Sequence, residues 1–276
     1  MKNILFIGNS HLIALIDAAQ RCAGTQSTGM DIHDAFRGIG FRRYDFNMGA
    51  APEGPGARMR FILAGAAAPS LFQMNAEGGY TLAPGFVDEL REGAAQFGGR
   101  VDQVVSYFHG NEHSTFSIVE HEVPFDFFAD ADDQDCIPDA PPRQVIPAEV
   151  IRRELKARAR PTAIYCQTLK SLFPGQEVVH VLPPPPIADE RQLRRSPEIF
   201  AQLFHVYGIA PPALRRKTYK LYAQMLGDEL RATGVRVVEA PAGSHVDGYL
   251  HEDWAVGSTH ADHRYGQLVL QELGAV

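Results

Sequence analysis

The chain has 276 residues, and its 45% apolar content is enough for a sizeable core, which excludes a wholly disordered chain. Lysine and arginine total 26 against 33 aspartate and glutamate; the resulting net charge of −7 argues against nucleic acid or an anionic membrane as the main partner, since both favour basic surfaces. No apolar run reaches the roughly 18 residues of a membrane span, and three cysteines (Cys22, Cys136, Cys166) are too sparse for a disulfide scaffold.

Apolar runs of strand length alternate with helical patterns. Asn3–Gly8 reads as a buried parallel strand, and Leu12–Ala23 carries Leu12, Leu15, Ile16 and Ala19 at helical spacing. Gly8-Asn9-Ser10-His11 stops the first run after four apolar residues, too short for the core of a secretion signal, so a cytoplasmic protein with reduced thiols is expected. Arg42–Asn47 is a second strand, Pro84–Phe97 a helix with proline in its first turn, and Val101–Phe108 a third strand. Pro147–Leu172 is helical with a break expected before Pro161. Glu177–Leu182 is a strand stopped by Pro183–Pro186, Pro211–Thr233 a long helix, Val235–Glu239 a fifth strand and Ala261–Leu273 the last helix.

Strand and helix in alternation mean parallel pairing through right-handed crossovers, with helices on both faces. The expected fold is a three-layer α/β/α, flavodoxin-like arrangement of five parallel strands. No internal repeat or linker divides the chain, so one domain is expected, with loop excursions at about residues 50–83, 113–146, 183–210 and 241–259. Two segments stand apart. Phe125–Asp139 holds Asp126, Asp130, Asp132, Asp133, Asp135 and Asp139 without a cation; it lacks the central glycine and terminal glutamate of a calcium loop and reads as a solvated acidic loop or lid. Arg191–Lys217 holds Arg191, Arg194, Arg195, Arg215, Arg216 and Lys217, a solvated face by default and otherwise a site for an acidic substrate.

In a doubly wound sheet, ligands bind outside the carboxyl ends of the strands. The residues following successive strands are Gly8-Asn9-Ser10-His11, Asn47-Met48-Gly49-Ala50, His109-Gly110-Asn111-Glu112-His113 and Pro183–Pro186; beyond the fifth lies Gly257-Ser258-Thr259-His260. A serine between a strand and a helix is either an N-cap or a nucleophile. As a nucleophile it needs a base, and His260 is the candidate.

Gly8-Asn9-Ser10, a glycine after the second strand, Gly110-Asn111 after the third and a histidine before the last helix resemble the four blocks of the SGNH (GDSL-like) hydrolase superfamily, in order over nearly the whole chain. The resemblance implies that Ser10 attacks an ester carbonyl, that His260 takes its proton, and that the amides of Ser10 and Gly49 with the Asn111 side chain form an oxyanion hole. The sequence departs from the family in two places: Gly257 stands where an acid normally orients the histidine, and Glu112 follows Gly110-Asn111 where the family has Asp. Asp253 is the expected replacement for the missing acid, with Asp247 or a backbone carbonyl as the alternatives.

The resemblance implies a serine esterase acting on acyl or acetyl esters of a small-molecule or carbohydrate-like substrate, with no cofactor. An acyltransferase of the same fold and a non-catalytic glycan- or ligand-binding relative are the alternatives. His109 and His113 are four apart, as in a helical ligand pair, but no third ligand at matching spacing follows, so no metal is expected. Gly38-Ile39-Gly40 lacks the third glycine of a dinucleotide fingerprint and reads as a turn.

Overall fold

Ile4, Leu5, Phe6 and Ile7 are fully buried, which a strand achieves only when both of its faces are covered. That strand, β1 (Lys2–Gly8), lies inside a six-stranded sheet in the computed structural model, which describes residues 1–24, 40–49, 56–65, 71–74, 80–108, 111–129 and 142–276. The other strands are β2 (Phe41–Asn47), β3 (Ala57–Ala64), β4 (Gln103–Tyr107), β5 (Glu177–Val181) and β6 (Arg236–Val238), in the spatial order β6-β5-β4-β1-β3-β2. β1, β3, β4, β5 and β6 are parallel, with Phe6 level with Phe61 on one side and Val105 on the other. Taken alone, these five strands run 2-1-3-4-5, the flavodoxin-like order.

Alternate β1 side chains serve two cores. Ile4 and Phe6 pack against α1 (Leu12–Cys22) and the C-terminal helix through Leu12, Leu15, Tyr265 and Val269. Leu5 and Ile7 face α2 (Pro84–Ala95), α4 (Ala148–Leu172) and α7 (Pro212–Ala232) through Phe86, Leu90, Leu155 and Leu221. The shorter helices α3 (Glu112–Ser117), α5 (Glu190–Arg195) and α6 (Ala201–Tyr207) lie in the connections, and α8 (His263–Glu272) closes the chain. The backbones of α1 and α8 approach so closely that a Cβ at Gly266 would stand 2.1 Å from the Ala14 carbonyl oxygen.

Three expectations are corrected. The sheet contains a strand, Ala57–Ala64, inside the stretch assigned to a loop excursion. Its first half alternates Ala57 and Met59 with Arg58 and Arg60, and the Arg60 guanidinium reaches across to Asp45 on β2. β2 itself is antiparallel, an edge strand beside β3 rather than a member of the parallel set. Finally, α4 runs without interruption through Pro161. Ala157, whose carbonyl loses its partner, and Pro161 are both on the exposed side, so water can satisfy that oxygen, while Leu155, Ala159, Ala163 and Cys166 hold the opposite side in the core.

The Arg-rich stretch is only partly solvated. Arg215 is buried on α7 and donates to the carbonyls of Ile187 at 2.6 Å and Ala188 at 3.1 Å, clamping the end of the proline-rich loop. Lys217, equally buried, bonds the Asp126 carboxylate and the Phe127 carbonyl, pinning residues 125–129 to α7. Asp130, Asp132, Asp133, Asp135, Asp139 and Cys136 lie outside the described residues. Removing one member of a buried pair strands the other charge in the core, so Lys217→Ala is expected to lower unfolding free energy by about 3–5 kcal/mol. Denaturant titration reads this as a lower midpoint; an unchanged midpoint would show that the pair holds nothing together.

Candidate active site

The order of the parallel strands reverses between β1 and β4, the place in such a sheet where ligands generally bind. Ser10 follows β1 and Asn111 follows β4, so both stand at this switch point. Asp262 caps α8 by accepting from the Arg264 amide, and Val256 pairs with His260 across a tight turn; together these fix His260 just ahead of the helix. The result is a direct contact: Ser10 Oγ and His260 Nε2 are hydrogen-bonded at 2.8 Å, with both residues 7% exposed. The serine–histidine contact stands at the switch point of a 2-1-3-4-5 sheet.

The sheet order is the flavodoxin-like one that the resemblance to the SGNH hydrolases implies. No protein-family model matches the chain, and no curated protein does. Solved structures similar to it include the periplasmic domain of a Salmonella ser. Paratyphi A lipopolysaccharide acetyltransferase, at TM-score 0.47 and 10% identity over 99% of this chain and 83% of that one. A lipase/acylhydrolase from Enterococcus faecalis matches at TM-score 0.38 and 15% identity, over 99% and 95% of the two chains. A carbohydrate acetylesterase from Sinorhizobium meliloti matches at TM-score 0.38 and 12% identity, over 100% and 99%.

On the other side of the His260 ring stands a carboxylate that sequence reading did not single out, Glu198. Glu198 Oε1 lies 3.6 Å from His260 Nδ1, the ring nitrogen facing away from Ser10, and Thr259 Oγ1 lies 3.2 Å from the same nitrogen. The Ser258 amide donates to Glu198 Oε2 at 3.0 Å and the Ser258 hydroxyl at 2.9 Å, so the carboxylate is anchored to the loop that carries His260. Burial pushes the Glu198 carboxyl up, but the facing His260 and the two Ser258 donors outweigh it and leave the group below its ordinary value. Glu198 has φ of +50°, a conformation that a non-glycine residue holds only when its surroundings impose it.

Gly257 explains how the carboxylate fits. Its φ is +63°, and a Cβ there would stand 2.2 Å from Glu198 Oε1. A side chain at position 257 would occupy the space that the Glu198 carboxylate now fills. That glycine was the available signal, since it leaves a hole beside the histidine for a side chain from another segment.

Asp253 is not brought to His260. Its carboxylate bonds Arg264 at 2.5 Å and is 71% exposed, so it serves the surface of α8. Asp247 is exposed, and its carbonyl accepts from Arg216. Gly49 is at the wrong end of the sheet. Because β2 is antiparallel, Met48 N bonds Ala57 O, and Ala57 is level with Lys2. Ser10 lies beyond the other end of β1, about 20 Å away at roughly 3.3 Å per residue. Gly110 and His109 lie outside the described residues.

Asn111 Oδ1 accepts from His11 Nε2 at 2.9 Å, and Glu112 accepts from Tyr222 Oη at 2.9 Å, which ties the start of α3 to α7. His113 packs against Tyr219 and Tyr222, and His121 against Phe116 and Phe125. A second serine–histidine contact, Ser106 Oγ to His180 Nδ1 at 3.0 Å, sits deep in the sheet beside Cys166, whose thiol burial pushes up to about 12. Full burial of all three makes that cluster structural.

Pro185 lines two cavities. One of about 700 Å³ lies past the carboxyl ends of β5 and β6, walled by Arg216, Tyr219, Lys220 and His245. The other, of about 10 Å³, is lined by His113, Pro184, Pro186, Ser258 and Thr259 and has room for about one water. Among the described residues, no group of three side chains converges to hold a metal, and no helix is long and apolar enough to cross a membrane.

Proposed function

We propose that this protein is a serine esterase of the SGNH type that forms an acyl-enzyme on Ser10, with His260 as base and Glu198 as the orienting acid. The 2.8 Å bond from Ser10 Oγ to His260 Nε2, with Glu198 on the far side of the ring, carries this reading. In the first step Ser10 Oγ attacks the ester carbonyl while His260 Nε2 takes its proton; the protonated ring then returns that proton to the leaving alcohol. In the second step water, or a hydroxyl of an acceptor molecule, attacks the acyl-enzyme with His260 again as base. Acyl transfer to either acceptor uses the same residues. The amide of Ser10, at the start of α1, and the Asn111 carboxamide are the donors we assign to the developing oxyanion.

Glu198 beside His260 supports the catalytic reading over a non-catalytic one, for which the departure at Gly257 is the ground. The resemblance in sequence is what suggests an acyl or acetyl ester of a small-molecule or carbohydrate-like alcohol as the substrate. The test is covalent labelling with a fluorophosphonate probe, followed by mass spectrometry. A single adduct on Ser10 is expected, absent in Ser10→Ala, together with faster release of p-nitrophenol from the acetyl than from the octanoyl ester. A wild-type protein that stays unlabelled and cleaves neither ester would sink the esterase reading.

A further inference from the structure

His11 is 2% exposed, follows Ser10 directly and makes no capping bond to α1, so its ring is free for another task. The ring contacts two others. It stacks on Tyr107 with centroids 5.4 Å apart and faces His260 at 4.7 Å. Its Nε2 stands 2.9 Å from Asn111 Oδ1. An amide oxygen can only accept, so Nε2 carries the proton.

A carboxamide can present either its oxygen or its nitrogen to a given point, and the two faces act oppositely on a developing negative charge. With Oδ1 occupied by His11, the Nδ2 hydrogens are the face left for the substrate. We propose that His11 is a positioning residue that locks the Asn111 carboxamide in the orientation that donates to the oxyanion. Tyr107 and His260 both pack against the imidazole, which restrains its plane while the hydrogen bond sets the amide. Burial, with the nearby His260 and His113, holds the His11 imidazole well below its ordinary value, so the ring facing His260 is neutral when His260 becomes charged. This inference rests on the acyl-enzyme reading above.

The experiment compares His11→Phe, which keeps the ring and loses the donor, with His11→Gln, whose side-chain amide can restore it. Loss of one oxyanion donor typically lowers turnover roughly 100–1000-fold, so a misaligned donor is expected to lower kcat about 10–100-fold in His11→Phe, with KM nearly unchanged. His11→Gln should recover most of that loss. On an Asn111→Ala background, His11→Phe should have little further effect, because its route to the reaction is gone. In the resting enzyme, nitrogen-15 imidazole spectra should show His11 in the Nε2–H form. Full kcat in His11→Phe, or an equal loss with and without Asn111, would overturn the positioning role while leaving the esterase intact. A wild-type enzyme without ester turnover would instead remove the reading beneath it.

Discussion

Glu198→Gln is expected to lower kcat for an acetyl ester by about 10³–10⁴-fold while leaving the fold intact, the size of effect seen when a triad acid becomes its amide. The loss has two sources. A carboxylate beside Nδ1 keeps the proton on that nitrogen, leaving Nε2 free to accept from Ser10, and it stabilises the imidazolium formed in the transition state. Glutamine can present its amide N–H to Nδ1, which favours the tautomer unable to act as base. Stability should follow pH in a defined direction. The folded carboxyl lies below its ordinary value, so its contribution is fully present above the unfolded value of about 4.3 and is lost as pH falls through the lower folded one. The difference in melting temperature between wild type and Glu198→Gln should therefore shrink in acid.

Gly257 permits a sharper version. Gly257→Asp alone places a Cβ against the Glu198 carboxylate and should be as damaging as Glu198→Gln. Paired with Glu198→Gly, it moves the acid to the position that the sequence resemblance implies, and aspartate tolerates a positive φ better than most residues. The double variant should exceed Glu198→Gly in kcat. Equal rates, or a Glu198→Gln enzyme near wild-type turnover, would show that Glu198 is not the orienting acid.

How far the site could be read in advance follows from how local each part is. Ser10 and Asn111 follow central strands within a few residues, and His260 precedes the last helix, so a strand-by-strand inspection finds them. Glu198 lies sixty residues before Ser258 in an Arg-rich segment and reaches the site through a short helical turn, which no local pattern announces. The failure at Gly49 has a different origin. Five parallel strands were expected and five are present, but Arg42–Asn47 was counted among them in place of Ala57–Ala64. The arginines at 58 and 60 disguised a central strand, although their alternation with Ala57, Met59 and Phe61 is a strand period. Strand direction is set by long-range pairing, and one reversed strand carried its following glycine to the opposite edge.

Ser10→Ala and His260→Ala should each lower kcat by about 10⁶-fold, and combining them should cost nothing more. On the proposed mechanism, their 2.8 Å contact makes the two a single chemical device. A serine without its base is a poor nucleophile at neutral pH, and a base without its serine has only water to activate. Some acceleration over the uncatalysed reaction should persist in both, because the oxyanion donors do not depend on Ser10 Oγ or on the imidazole. Removing Asn111 from the double variant should take away part of that remainder. If the two losses multiplied, Ser10 and His260 would act in separate steps, and the hydrogen bond joining them in the resting enzyme would have no part in acyl transfer.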